Sequence, residues 1–411
     1  MRVTVRLAGI CLLTTALIAC LTACNLFNHS TIPSSPNPYT PLPRVTMNYA
    51  VADIENYRVL IYDTAFSTDE SASVVLGQAD FVSNSSLPIS AKSVEPGAIA
   101  VDSSSNLYVA DANTCRVLLF KPPFTNNMAA SVVIGEPDFT TNGCGISAST
   151  LDGVEAMAID GDGDLWVSDT SSRIVEFVPP FTNGMAASLV IGQASPSSSS
   201  GCNHAGTSTA STLCFANGLT FDSSGNLWVS DTDNNRVLEF KPPFSNNMAA
   251  SLELGQPSGA TAFTSDTANN GGVSATSLDS PYQLAFDGDG NLWVPDIGNR
   301  RVLEYVPPFS NGMAATLELG QPSGATAFTS HTANNGQSGF DNPPAVTFDS
   351  SGNIQVVDYG NSRVMIFEPP FSNGMNATLV LGQADFTHGA ANQGGSVAAD
   401  TLYWPGGGVT F

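Results

Sequence analysis

Residues 217–257 read NGLTFDSSGNLWVSDTDNNRVLEFKPPFSNNMAASLELGQP. The stretch holds four short apolar runs, GLTF, LWVSD, RVLEF and ASLELG. Between them lie DSSGN, DTDNN and KPPFSNNMA, built from turn-forming Asp, Asn, Ser, Gly and Pro. Short β-branched, aromatic and aliphatic runs separated by such turns predict antiparallel strands. Beyond the N-terminal leader, no segment sustains a helical period.

The DTDNN cluster alone suggests a cation site or an acid–base pair. It recurs, however, as DIENYRVLIY (53–62), DANTCRVLLF (111–120), DTSSRIVEF (169–177), DIGNRRVLEY (296–305) and DYGNSRVMIF (358–367). A device present in every repeat is architectural, and the repeat decides the fold. Four-stranded units repeated radially make a β-propeller. First strands follow at GAIAVD (97–102), EAMAID (155–160), NGLTFD (217–222), YQLAFD (282–287), PAVTFD (344–349) and GGGVTF (406–411). The last stops at the chain end, just before the expected Asp. Residues 47–63, MNYAVADIENYRVLIYD, supply a second and third strand with no first strand before them. The two fragments complete one blade. The expectation is an all-β, six-bladed propeller of four-stranded antiparallel blades. Its ring closes where the C-terminal strand joins the N-terminal strands, leaving no seam of unpaired backbone groups.

The pattern GNLWVxDxxNxRV followed by an aromatic residue resembles the NHL repeat family, from about residue 47 to Phe411. The resemblance implies a propeller. It is silent on activity, because such repeats occur in enzymes, sensors and scaffolds alike.

Asp and Glu number 36 against 13 Lys and Arg, for a formal net charge of -23. Such a surface repels phosphate backbones and anionic lipid, which argues against nucleic-acid binding, and it attracts cations and basic partners. The N-terminus carries Arg2 and Arg6, then the apolar LAGICLLTTALIACLTAC, the layout of a secretion leader. Leu21-Thr22-Ala23-Cys24 looks like a bacterial lipobox, whose Cys becomes the lipidated first residue of the mature chain. Cys20 ends a poorer second match, and an ordinary signal peptide is the alternative. Residues 1–23 are therefore read as a lipoprotein signal peptide, 24–46 as a Pro/Ser-rich tether and 47–411 as the propeller. Pro33, Pro36, Pro38, Pro41 and Pro43 favour extended polyproline II in the tether. Asn25 after the lipid Cys resembles an outer-membrane sorting pattern. The expected location is outside the cytoplasm, on the outer membrane or cell surface, held by the lipid alone.

An Asp ends each second strand: Asp53, Asp111, Asp169, Asp231, Asp296 and Asp358. Its carboxylate can accept N–H groups of the following turn. The Arg after each turn (Arg58, Arg116, Arg173, Arg236, Arg301, Arg363) can reach a carboxylate or carbonyl of its own or a neighbouring blade. DGDGD (160–164) and DGDGN (287–291) invite a calcium reading, but a Leu stands where a calcium loop needs its Gly, and DSSGN occupies the same turn elsewhere. A plain hairpin turn is expected. Trp166, Trp228, Trp293 and Tyr108 share one second-strand position and are expected to fill the core between blades, with carbohydrate stacking as the alternative. Repeated PPF segments open the turn between third and fourth strands, where Phe can pack back on the blade.

Turns between strands two and three share one face with the long crossings from each fourth strand to the next blade. Those crossings are rich in Ser, Thr, Asn and Gly, and long loops on a rigid scaffold are where binding resides. Cys202 and Cys214 share one crossing and are paired. Cys115, in a second-to-third turn, pairs with Cys144 of the next crossing on the same face; an even count in an exported chain supports disulfides. His204, His331 and His388 also lie in crossings and are candidate zinc ligands, though without local ligand spacing. No cofactor is expected beyond an adventitious or structural Ca2+ or Zn2+.

Enzymes with this repeat place His, Glu, Tyr or Arg around the channel. Here the inner strands are small or apolar, with only Glu155 nearby, so no catalytic set can be named. The favoured expectation is a monomeric binding scaffold for a protein, peptide or glycan ligand on the long-loop face. The alternatives are a metal-dependent lyase or hydrolase at the channel mouth, and a sensor acting through a partner.

Overall fold

The computed structural model describes residues 49–62 and 67–410. The expected leader, tether and lipidated Cys24 lie outside the described residues. Six four-stranded antiparallel sheets follow one another. Blade 2 consists of Pro96–Val101, Leu107–Asp111, Arg116–Phe120 and Val132–Ile134. Blade 3 consists of Val154–Ile159, Leu165–Asp169, Arg173–Phe177 and Leu189–Ile191. Blade 4 consists of Ala216–Phe221, Leu227–Asp231, Arg236–Phe240 and Leu252–Leu254. Blade 5 has Ala285–Phe286, Leu292–Asp296, Arg301–Tyr305 and Leu317–Leu319, and blade 6 has Ala345–Phe348, Ile354–Asp358, Arg363–Phe367 and Leu379–Leu381. Blade 1 is composite: Pro405–Thr410 pairs antiparallel with Tyr49–Asp53, which leads to Arg58–Tyr62 and Val74–Leu76. Inner strands of successive blades touch all the way round, so the ring is closed. No α-helix occurs among the described residues.

One register differs from the sequence reading. Thr410 faces Tyr49 as Phe221 faces Leu227 and Ile159 faces Leu165. The closing strand runs 405–410, so Thr410 rather than Phe411 holds the place just before the expected Asp. Three successive glycines, Gly406 to Gly408, carry no side-chain alternation to fix the register.

Each blade is bolted by a buried ion pair. Arg301 Nε donates to Asp296 Oδ2 at 2.7 Å, and neither side chain is exposed. The guanidinium then holds two crossings at once. Nη1 donates to the Phe328 carbonyl of the crossing that follows (3.1 Å), and Nη2 to the Ser274 and Ser277 carbonyls of the one that precedes (both 2.9 Å). Arg58 repeats the pattern on Phe81, Ala398 and Thr401, and Arg116 on Phe139, Ser90 and Ser93. Arg173, Arg236 and Arg363 sit likewise against Asp169, Asp231 and Asp358. The other carboxylate oxygen, Oδ1, mostly serves the lead-in to the first strand rather than the following turn. It accepts the N–H of Tyr403 in blade 1, Glu95 in blade 2, Cys214 in blade 4, Asp279 in blade 5 and Asp341 in blade 6. Only Asp169 Oδ1 takes an N–H from its own turn, that of Ser171.

Neighbouring blades interlock through aromatic rings. Trp166 meets Phe244 of the next blade at 4.9 Å between centroids, Trp228 meets Phe309 at 4.8 Å and Trp293 meets Phe371 at 5.1 Å. The Phe of these PPF turns thus reaches the preceding blade as well as its own, since Phe244 also meets Phe221 and Phe309 also meets Phe286, both at 6.3 Å. The indole N–H of Trp166, Trp228 and Trp293 donates to Asp160, Asp222 and Asp287 of the hairpin turn, so a ring that is apolar in body keeps its polar tip satisfied. The outer strands are protected as well: Asn246, Asn311 and Asn373 accept the N–H of Val190, Glu253 and Glu318 on the blade before. This covers edge groups that would otherwise be open for pairing. After each outer strand stands a Gly-Gln or Gly-Glu pair. At Gly320 (φ +92°) a Cβ would lie 3.0 Å from the Arg300 carbonyl and closer still to Phe340. The adjoining Gln321 amide donates to that same carbonyl at 2.9 Å, tying crossing to turn.

Arg300 and Arg301 are neighbours in sequence with opposite surroundings, because Arg300 meets Asp341 with about a third of each side chain exposed. Removing one partner of a buried pair costs about 3–5 kcal/mol, whereas an exposed pair contributes about 0–1 kcal/mol. Urea unfolding should therefore show Arg301→Ala strongly destabilised and Arg300→Ala nearly unchanged. Equal losses in the two variants would contradict the assignment of Arg301 as the bolt.

Candidate functional site

The first strand of a blade carries an irregularity before it settles into its ladder. In blade 3 the register shifts between Val154 and Ala156, and in blade 4 between Ala216 and Gly218. Glu155 and Asn217 are the extra residues. A bulged residue leaves the ladder and its side chain is re-aimed, here toward the central channel. The corresponding residues are Gly406, Gly97, Glu155, Asn217, Tyr282 and Pro344 in blades 1 to 6, and all six line one cavity of about 640 Å³. The walls below them are apolar, with Ile99, Met157, Leu219 and Val346.

Side-chain hydroxyls from second strands and from the turn that follows one of them set this ring in place. Ser168 Oγ donates to the Ala216 carbonyl at 2.6 Å and accepts the Ala156 N–H at 3.0 Å, joining the inner strands of blades 3 and 4. Ser230 Oγ donates to the Tyr282 carbonyl at 2.5 Å, and Thr232 Oγ1 to the Pro281 carbonyl at 2.7 Å, doing the same for blades 4 and 5. The approach is so close that a Cβ at Gly218 would lie 2.3 Å from the Tyr282 carbonyl oxygen. Only glycine permits it.

The ring is lopsided. Blades 3, 4 and 5 present a carboxylate, an amide and a phenol, while blades 6, 1 and 2 present Pro344, Gly406 and Gly97. Burial pushes the Glu155 carboxyl above its ordinary range, and the charges of Asp169 and Asp233 add to that push. Burial likewise raises the Tyr282 phenol, helped by the charges of Glu155 and Asp233 and opposed by a hydrogen bond from Asn217. Tyr359 also lines the cavity, and its ring stacks on Trp404 at 5.3 Å with 21° between planes. Trp404 is 37% exposed, an aromatic rim on the long-loop face.

Sequence reasoning singled out Glu155 but missed Asn217, Tyr282 and Tyr359. The signal was present as the first-strand position at which the six repeats differ most in polarity, reading Gly, Gly, Glu, Asn, Tyr and Pro in blades 1 to 6.

Other singled-out residues stay apart from the cavity. Cys115–Cys144 and Cys202–Cys214 form disulfides, with Cα atoms 5.2 Å and 4.3 Å apart. The three histidines are not brought together among the described residues. His204 Nε2 lies 2.7 Å from the Gly192 carbonyl, His388 Nδ1 lies 2.7 Å from Asp385, and the His331 carbonyl accepts from Arg300. The DGDGD turn braces itself: Asp160 Oδ1 accepts the N–H groups of Asp162 and Asp164. With Glu176 it forms the one acidic cluster among the described residues close enough to share a cation, and its Asp164 is pushed up to about 6 by burial and then by Asp160, Glu176 and Asp162.

The NHL repeat family model matches residues 213–240, the end of one crossing and the first three strands of blade 4. The chain is a six-bladed β-propeller that carries an NHL repeat. Among solved structures, this NHL propeller is similar to a streptogramin B lyase (11% identity, 71% of this chain and 72% of that one, TM-score 0.39). It is similar also to a protein of unknown function from Bacteroides caccae (9% identity, 89% and 99% covered, TM-score 0.49). A third is a catalytically inactive virginiamycin B lyase from Staphylococcus aureus with quinupristin (12% identity, 68% and 71% covered, TM-score 0.37). No curated protein matches the sequence. Likeness at this level carries no inference about activity, so the function of this NHL propeller is argued from its own channel.

Proposed function

We propose that this NHL propeller is an exported, lipid-anchored binding scaffold. It takes a protein, peptide or glycan ligand on the face of the long crossing loops, with the channel mouth as its specific pocket. The observation that carries the reading is the bulge ring, where equivalent positions of the six blades bring a carboxylate, an amide, a phenol, a proline and two glycines to one cavity. The arginine bolts support it, because they fix the crossings around the mouth before any ligand arrives. A preorganised face loses little ordering entropy on binding.

A lyase or hydrolase at the channel mouth is the second reading, favoured by Glu155 and Tyr282 sharing one cavity and each feeling the charge of Asp233. The cavity lining offers one carboxylate and no His or Cys, a donor set ill matched to zinc. Binding therefore stands first. A sensor would use the same face and pass its signal to a partner.

A glycan and peptide library screened against the purified protein should yield ligands whose affinity drops tenfold or more in Tyr282→Ala. Ligands indifferent to that change would place the binding surface elsewhere. The anchor is tested separately. Cells expressing the full chain should incorporate radiolabelled palmitate into it, and Cys24→Ser should abolish the label; a labelled Cys24→Ser protein would overturn lipidation at that residue.

A further inference from the structure

The channel mouth has a definite chemistry, and the following rests on its being the ligand site. Its lining contains no Lys, Arg or His. Of its side-chain amides, Asn217, Gln283 and Asn342, that of Gln283 is engaged, its Nε2 donating to the Leu219 carbonyl at 2.8 Å. Asn217 is only 9% exposed, and its Oδ1 accepts from no group among the described residues. A buried acceptor without a donor is costly, and its natural remedy is a donor brought by a ligand. Beside it stands Glu155, whose charge is uncompensated by any lining cation.

These groups select against most ligands. An anion would meet a carboxylate and an orphan acceptor. A neutral polyol would supply donors but leave the Glu155 charge unmatched. An ammonium supplies three N–H donors and the missing charge. Aromatic faces favour it further, because the ring quadrupole attracts cations, and Tyr282 and Tyr359 both line the mouth. The apolar wall below, with Ile99, Met157, Leu219 and Val346, suits a hydrocarbon stem rather than a sugar. The net charge of -23 raises the local concentration of any cation.

We propose that the channel mouth binds a primary ammonium group on an apolar stem, as in a free alkylamine or a lysine side chain. Glu155 and Asn217 Oδ1 accept its N–H groups, and the Tyr282 and Tyr359 rings flank it.

A pH signature follows. Burial, then the charges of Asp169 and Asp233, raise the pKa of Glu155 in the free protein, and burial, then Glu155 in turn, raise the Tyr282 phenol. A bound ammonium opposes that rise. Affinity is therefore full where Glu155 is ionised and falls as pH drops through its raised range, with a proton released on binding there.

Calorimetry on the purified full chain tests this with n-hexylammonium, Nα-acetyl-lysine amide, n-hexanoate and 1-hexanol as probes. Binding of at least one amine and not of hexanoate is expected, with affinity that weakens as salt is added. Tighter binding of the lysine amide would point to a peptide source and tighter binding of hexylammonium to a free amine. Glu155→Gln should weaken the amine about tenfold or more and flatten its pH dependence. Hexanoate or hexanol binding as well as the amine on the unaltered protein would overturn the proposal, whatever the variant does. So would an amine that binds wild type and Glu155→Gln equally. If amines fail while a library ligand still depends on Tyr282, the ammonium chemistry is wrong and the site stands. If library ligands also ignore Tyr282→Ala, the site itself is wrong.

Discussion

One buried contact governs this molecule: an arginine held by an aspartate at the end of each second strand, reaching carbonyls of two different crossing loops. Burying a charge pair is close to neutral in net stability, but the half-broken pair is expensive. That asymmetry makes the contact a bolt rather than a glue. Arginine suits the role because its planar fork presents five fixed donors, enough for one carboxylate and several carbonyls at once. Arg236 and Arg363 each use Nε, Nη1 and Nη2 in this way. The long polar crossings, which have little apolar content of their own, are thereby given defined positions. In blades 4 and 5 a buried glutamate adds a further tie, since Glu253 and Glu318 accept the N–H of Phe263 and Phe328.

The bolts act on the long-loop face, while the aromatic interlock acts between blades and toward the other. Trp228, for example, touches Phe286 and Phe309 of the next blade and anchors its N–H on Asp222. With both in place, the bulge position of the inner strand is free to vary. Gly97 and Gly406 take up little space where adjacent strands run close: a Cβ on Gly406 would meet the Gly97 carbonyl oxygen at 2.9 Å. Glu155, Asn217 and Tyr282 occupy the other arc. A regular frame thus carries an irregular pocket, and the frame pays for the irregularity at one register position only.

What was legible in the sequence is what is local. Asp296 and Arg301 lie five residues apart, so their pairing and the blade count follow from the repeat. The composite blade was legible because MNYAVAD lacks a first strand and GGGVTF lacks its continuation. The two disulfides followed from their loops. What was hidden depends on distant chain. The second carboxylate oxygen serves Asp279, not the turn beside it, because the first strand's lead-in arrives there only in the folded ring. Phe309 packs on the blade before its own for the same reason. Tyr282 faces the channel through a strand irregularity that polarity patterns do not announce, and the triple glycine gave no alternation by which to set the closing register.

The claim that one arginine fixes two crossings is tested most directly by hydrogen exchange. In Arg301→Met, amide exchange should quicken around both 274–277 and 328, while the crossings bolted by Arg58 and Arg116 keep their rates. Acceleration confined to the 296–301 turn, or spread evenly over all six blades, would contradict it.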